Sequence, residues 1–331
     1  EKVEQKKTRV FAAGPMDYLI VFRMYFLGFL AHMMRNRIDN ESAVGIKSQS
    51  MEWDLLAKHL LSKGNNMVAG DFSNYDGTLH VTILWRILDV IEDFYKAGKD
   101  YCGKHARVRR CLWESTVNAY HLCGNELYKV NHSQPSGNPM TAILNSIYNS
   151  IACRYVFYQK GLMDFNGKIS MIAYGDDNIL SLRNDVKDLF QQEVITDGFK
   201  QIGMTYTDEE KTGRTYGYKK LEECFFLQRG FKKDEDIGIW IGPLKISSIL
   251  ECFNWIKETN DEYGVLEGNA RMAFAELALH DTKIFNKYSA KIKQALASAY
   301  GQQPYARSQL QYRTWLRSGE LTVQIPELNW V

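Results

Sequence analysis

The residues best suited to chemistry are carboxylates at the ends of apolar runs. From Ile169 to Leu182 the chain reads Ile-Ser-Met-Ile-Ala-Tyr-Gly-Asp-Asp-Asn-Ile-Leu-Ser-Leu: an apolar run, a turn holding Gly175, Asp176 and Asp177, and a second apolar run. That pattern predicts a β-hairpin with both aspartates at its tip. Adjacent carboxylates repel each other, so a tip presenting two is unfavourable until a cation arrives. Gly-Asp is also ordinary turn chemistry, and alone the tetrapeptide reads equally well as a surface turn. A second stretch, Met67 to Asp71, is a short apolar strand ending in a carboxylate, with Asp76 five residues on. Asp76 can be a helix-entry aspartate, favoured there by the helix dipole. Asp71 is harder to dismiss, because a lone carboxylate closing a buried strand is costly without a cation or donors.

Cationic and polar groups could complete such a site. A strand over residues 1–9 would put Lys7 and Arg9 on one face, since side chains two apart point the same way. Two cations there suit a triphosphate, and a solvated terminal charge run explains them more simply. Lys104-His105-Ala106-Arg107-Val108-Arg109-Arg110 is the densest basic cluster, equally a phosphate contact or an exposed connection. Ser136, Gly137, Asn138 and Pro139 open a helix running to Gln159, with Pro139 in the first turn, where its missing N–H costs nothing. Thr141 and Asn145 follow within two turns. If buried they need partners, which a sugar or nucleobase could supply; capping is an equally good account of each.

The elements that position these groups follow from periodicity. Helices are expected at 16–38, 51–62, 78–96, 139–159 and 185–200, and then at 245–258, 265–280, 282–300 and 308–318. Asp281 and Ser308 sit at N-cap positions. Hairpins are expected at 121–128, turning at Gly124-Asn125, at 169–182, and from 224–231 to 237–240. Residues 203–207 read as a short strand, 208–212 as a charged turn, and 99–135 as less regular. The stretch from Tyr18 to Met34 is interrupted by Arg23, too short to span a bilayer, and reads as a buried helix. The chain starts at Glu1 with no initiator Met or signal peptide, as a fragment or processed product does.

Composition sets bounds. At 331 residues, 45% hydrophobic and 24% charged, the chain is an ordinary globular protein of two or three subdomains. A net charge of +2 makes any nucleic-acid surface a local one. Six scattered cysteines without a Cys-x-x-Cys pair disfavour zinc and a disulfide framework, and fit a reducing compartment.

Taken in order, Asp71-x4-Asp76, Ser136-Gly137-x3-Thr141-x3-Asn145, Tyr174-Gly175-Asp176-Asp177, Lys211 and Phe226-Leu227-Gln228-Arg229 resemble the viral RNA-dependent RNA polymerases. Within these the likeness is to the picornavirus-like group, and to an insect dicistrovirus or iflavirus rather than a mammalian picornavirus. It covers nearly the whole chain, and five weak motifs in order are together very specific.

The resemblance implies an α+β right-hand fold with an antiparallel-sheet palm backed by helices. Residues 1–24 would end the fingers, 25–112 and 135–237 form the palm, 113–134 an inserted fingers segment, and 238–331 a helical thumb. A complete member carries a long fingers region before this point. The implied reaction is RNA-templated transfer of ribonucleotides to an RNA primer. Two Mg²⁺ (or Mn²⁺) ions would be clamped by Asp71, Asp176 and Asp177, with the Phe72 carbonyl as a further ligand. Lys211 would be the general acid for pyrophosphate, and Lys7 and Arg9 would hold the triphosphate. Asp76, Ser136, Thr141 and Asn145 would sense the ribose 2′-hydroxyl, with Gly137 also nucleotide-binding; Tyr174 and Arg229 would contact RNA. Implied partners are RNA template and primer, ribonucleoside triphosphates, a genome-linked peptide as protein primer, and a replication complex on membranes in the host cytoplasm. Two rivals stand: a reverse transcriptase, which carries a bulky aromatic where Asp76 sits, and a catalytically inactive RNA-binding module.

Overall fold

Apolar runs between turn residues form the strands, and stretches of 3.6-residue periodicity form the helices. The computed structural model describes residues 12–99, 101–131 and 133–318, with side chains to 316, so Lys7 and Arg9 lie outside the described residues. In chain order the elements begin α1 (Met16–Arg35), α2 (Glu52–Leu61), β1 (Met67–Ser73), α3 (Val81–Lys96), α4 (Gly103–Val117), β2 (Tyr120–Cys123) and β3 (Glu126–Lys129). There follow α5 (Thr141–Gln159), α6 (Phe165–Lys168), β4 (Ile169–Tyr174), β5 (Asp177–Leu182), α7 (Gln192–Gln201) and β6 (Thr205–Asp208). The last are β7 (Lys232–Asp234), β8 (Ile239–Ile241), α8 (Ile246–Glu251), α9 (Glu262–Leu277), α10 (Thr282–Tyr300) and α11 (Gln309–Ser318).

The chain divides into two compact units: residues 1–45 with 63–218, and residues 46–62 with 219–331. The first holds an antiparallel sheet in the order β4-β5-β1-β6, with α5 against β4 and α7 against β6. β4 and β5 are buried along almost their whole length, so both are mainly apolar without alternation, with Ser170, Asn178 and Ser181 as buried polar members. An aromatic cluster joins β1 to its neighbours, the Phe72 ring lying 4.8–4.9 Å from those of Tyr75, Phe199 and Tyr206. Residues 41–43 run beside β4, with Ala43 N–H donating to the Ala173 carbonyl at 2.8 Å. That covers an edge otherwise open to pairing. This is the helix-backed antiparallel palm expected of the fold class.

The second unit is mainly helical. Its 46–62 segment is sequence-distant but tightly held: Asp54 accepts from the Trp240 N–H at 3.0 Å, and Trp53 stacks on Phe231 at 5.0 Å. The division falls after residue 218 and takes in 46–62, whereas the resemblance implied a thumb of residues 238–331 alone.

Several local expectations change, and the helix expected over 245–258 ends at Glu251. The stretch read as irregular contains α4, whose buried stripe Arg109, Trp113, Thr116 and Val117 has helical spacing but two polar members. The basic cluster rides on this helix. Arg109 is buried, bidentate to Glu92 at 2.6 and 2.7 Å and 4.0 Å over the Tyr95 ring, so it is no phosphate contact. The helix read from 185 begins only at Gln192. Residues 224–231 are not a strand: Leu227 and Gln228 both have positive φ and form a tight turn closed by Phe226 and Arg229. Finally, α1 buries Phe22, Phe26, Phe29, Leu30 and Met33 but exposes Met16, Ile20 and Met24, so only one face is core. Among the described residues it is also the one helix long and apolar enough, by length and composition alone, to cross a membrane.

Candidate active site

Strand register brings the distant carboxylates together. β1 lies between β5 and β6, with Gly70 opposite Asn178 and Asp71 opposite Thr207. The last pair of the β4–β5 hairpin is Tyr174 with Asp177, which leaves Gly175 and Asp176 as a two-residue turn. Gly175 has φ 66°, a conformation a two-residue hairpin turn demands of its first residue and that glycine adopts without strain. Asp176 thereby projects beside the end of β1, in hydrogen-bonding reach of Asp71. Burial, and then the charge of Asp71, push the Asp176 carboxyl up to about 6, while Lys211 pulls the other way.

Lys211 is delivered by the turn after β6. Its φ of 55° is held by Asp208, a buried carboxylate that accepts from Thr212 N–H (3.1 Å), Thr212 Oγ1 (3.0 Å) and Gly213 N–H (3.0 Å). Burial pushes Asp208 up, but those donors outweigh it and leave the group below the usual carboxylate range. Lys211 Nζ ends 2.8 Å from Asp71 Oδ2. The other oxygen, Asp71 Oδ1, is buried without any donor. Two repelling carboxylates, one ammonium already attracted to them and one orphaned acceptor make a slot fitted to cations with oxygen preference. Among the described residues no three His, Cys, Asp or Glu side chains form a ready-made metal cage. A hard cation here would therefore also need backbone, water or phosphate oxygens. Asp177 opens β5, half-buried, and does not complete such a group.

A second cluster adjoins the first. Asp76 Oδ1 accepts from Asn145 Nδ2 at 2.7 Å, and Asp76 Oδ2 accepts from Ser136 Oγ at 3.2 Å. Asn145 is buried, and its own Oδ1 has no donor, an open acceptor in a polar site. Tyr75 Oη donates to the Asn145 carbonyl at 3.0 Å. Burial chiefly, then Tyr148, Cys153, Asp176 and Asp76, raise the Tyr75 hydroxyl well above its usual value, so Tyr75 is in electrostatic reach of both clusters. Thr141 turns away to the start of α5, donating to the Asn138 carbonyl at 2.8 Å. Gly137 passes against the Ala12 carbonyl, where a Cβ would stand 2.1 Å away.

Thus Asp71, Asp176 and Lys211 converge, as do Asp76, Ser136 and Asn145. Phe72 puts its ring in the core, and Tyr174 ends β4 half-exposed. Arg229 departs from expectation. It is 8% exposed, with its guanidinium on both Glu276 oxygens (2.6 and 2.7 Å) and on the Gly242 carbonyl (2.8 Å), an interior role in the second unit. Sequence reasoning missed Gln134, whose Nε2 donates to Thr141 Oγ1 at 3.2 Å, and Ser146, Asn149 and Asn178 around the turn. The signal was there: Asn145 and Asn149 are four apart on a buried helix, and a buried amide needs a partner.

Comparison with known proteins shows the family. The family described as "Viral RNA-dependent RNA polymerase" matches residues 1–315. A replicase polyprotein of Acute bee paralysis virus (strain Rothamsted) is 38% identical over 316 residues, covering 91% of this chain and 16% of that protein. One from Drosophila C virus (strain EB) is 38% identical over 300 residues, covering 86% and 17%. The chain therefore spans about a sixth of these relatives. A solved structure, the Sicinivirus 3Dpol RNA dependent RNA polymerase, shares the fold with a TM-score of 0.79 at 19% identity, over 95% of this chain and 64% of that one.

Proposed function

Because this chain belongs to the viral RNA-dependent RNA polymerases, we propose that its paired aspartates join ribonucleoside triphosphates to the 3′ end of an RNA primer on an RNA template. The observation that carries this is the meeting of Asp71 and Asp176, 105 residues apart, around an acceptor oxygen with no donor. Asp71 and Asp176, supported by Asp177 and the Phe72 carbonyl, would hold Mg²⁺ or Mn²⁺, whose chemistry is to promote loss of the 3′-hydroxyl proton and offset charge on the phosphates. Lys211, now neutralising Asp71, would be freed when another cation takes its place. Its ammonium could then give a proton to the leaving pyrophosphate. Lys7 and Arg9 would hold the triphosphate, and Tyr174 would contact RNA.

Asp76, Asn145 and Ser136, with Gly137 and Thr141 shaping the entry to α5, would select ribose. A site whose polar groups are paired by the 2′-hydroxyl leaves them unpaired with a deoxyribose. That favours ribonucleotides, and so an RNA polymerase over a reverse transcriptase. By the same reading, the protein works in a viral replication complex on host-cell membranes, with a genome-linked peptide as primer.

Primer extension on a homopolymeric RNA template, with ribo- and deoxyribonucleotides supplied separately, tests the reading. Asp176→Ala should abolish incorporation and leave RNA binding intact, because phosphate contacts come mainly from Lys and Arg. Retained turnover in that variant would refute the role given to Asp176.

A further inference from the structure

The Gly175–Asp176 turn is gripped from beneath by a buried chain of polar side chains that no step of nucleotidyl transfer touches. Ser146 Oγ accepts from the Gly175 N–H at 2.9 Å. Asn149 Nδ2 donates to the Gly175 carbonyl at 3.1 Å and to the Asp176 carbonyl at 3.3 Å. Asn178 Nδ2 donates to Asn149 Oδ1 at 2.9 Å, and Tyr206 Oη donates to Asn178 Oδ1 at 2.8 Å. All four side chains are buried, Asn149 and Asn178 completely. Tyr206 reaches Asn178 across β1 only because Gly70 lies between them; a Cβ there would stand 2.1 Å from the Tyr206 ring.

Buried amides are costly unless paired, and apolar residues would fill a core at less risk. Both amides are paired here: Asn149 donates to the backbone of a turn whose polar groups water could otherwise satisfy, and Asn178 donates to Asn149. We propose that Asn149 and Asn178 are positioning residues: Asn149 fixes the peptide on either side of Asp176, and Asn178 holds Asn149, so that the Asp176 carboxylate stands ready beside Asp71 for a divalent cation. The inference rests on reading the aspartate pair as a cation site. Asn145 and Asn149 are one turn apart on α5, so one helix would carry both the sugar-side amide and the anchor of the turn.

The test uses the full chain and Mn²⁺ alone, with free Mn²⁺ followed by electron paramagnetic resonance. Asn149→Ala should weaken Mn²⁺ binding about 10–100-fold, the usual effect of removing a group that orients a ligand. RNA binding should not change, and in primer extension kcat should carry the loss while the nucleotide KM holds. Tyr206→Phe keeps the ring and removes only the far hydroxyl; it should act in the same direction by a smaller factor, and it decides the matter if Asn149→Ala does not fold. Variants that lose thermal stability but bind Mn²⁺ normally would make the network merely structural and overturn the inference. Asp176→Ala separates the two claims. If it alone abolishes Mn²⁺ binding, the inference falls and the proposed function stands; if it too binds Mn²⁺ normally, the proposed function falls.

Discussion

Asp176→Asn should stabilise the cation-free protein at neutral pH, an unusual effect for a substitution at an active site. The folded carboxyl sits at about 6 against an ordinary 3.8, raised by burial and then by Asp71. Between those values the folded state keeps a proton that the unfolded chain has lost. Stability from this group is therefore fully present below pH ~4 and is lost as pH rises through about 6. At ~1.36 kcal/mol per unit, the charged form costs about 3 kcal/mol at pH 7.5. Asparagine has the same shape without the charge, so the variant should recover roughly 1–3 kcal/mol. For the sheet-bearing unit of about 200 residues, each kcal/mol moves Tm by about 2–4 °C. The assay is thermal unfolding in a chelator from pH 4 to pH 8, following the transition of that unit. The gap between variant and parent should be widest above pH 7 and close near pH 4. Added Mg²⁺ should raise the parent's Tm by mass action and leave the variant's nearly unchanged. A gap independent of pH, or a variant less stable throughout, would mean that Asp176 is a satisfied structural group, and the electrostatic argument for a cation slot would fail.

Other residues give sharp expectations. Asn145→Ala removes the 2.7 Å bond to Asp76; at about 1–3 kcal/mol, ribonucleotide preference should fall roughly ten- to a hundredfold, through slower ribonucleotide use. An unchanged ratio would take Asn145 out of the sugar site, and faster ribonucleotide use would indicate a steric wall. Arg229→Ala should destabilise the helical unit by about 3–5 kcal/mol, because Glu276 is left as a buried, unpaired charge. The salt dependence of RNA binding should not move, whereas a phosphate-gripping arginine would lower that slope by about one.

Much of this protein was legible in the order of its residues. A hairpin needs only apolar flanks and a turn residue that tolerates positive φ, and residues 169–182 supply both, so β4 and β5 stand within one residue of the expected runs. The stripe of Leu84, Ile87, Leu88 and Ile91 likewise announces α3. These signals act between neighbours a few positions apart, where backbone preference and periodicity decide. What failed depended on partners far along the chain. α4 was missed because its stripe contains Arg109, which is at home in the core only because Glu92 and Tyr95 receive it. Arg229 was given to RNA because nothing near it announces Glu276, 47 residues on. The site divides the same way. Residue types and spacing singled out Asp71, Asp76, Asn145 and Asp176 as candidates. Strand register alone set Asp71 beside Asp176, left one of its oxygens without a donor, and put Ser146 and Asn149 under the turn. A carboxylate's chemistry is a property of the residue. Whether it meets a second carboxylate, an ammonium or water depends on how the sheet pairs and on what the fold has buried around it.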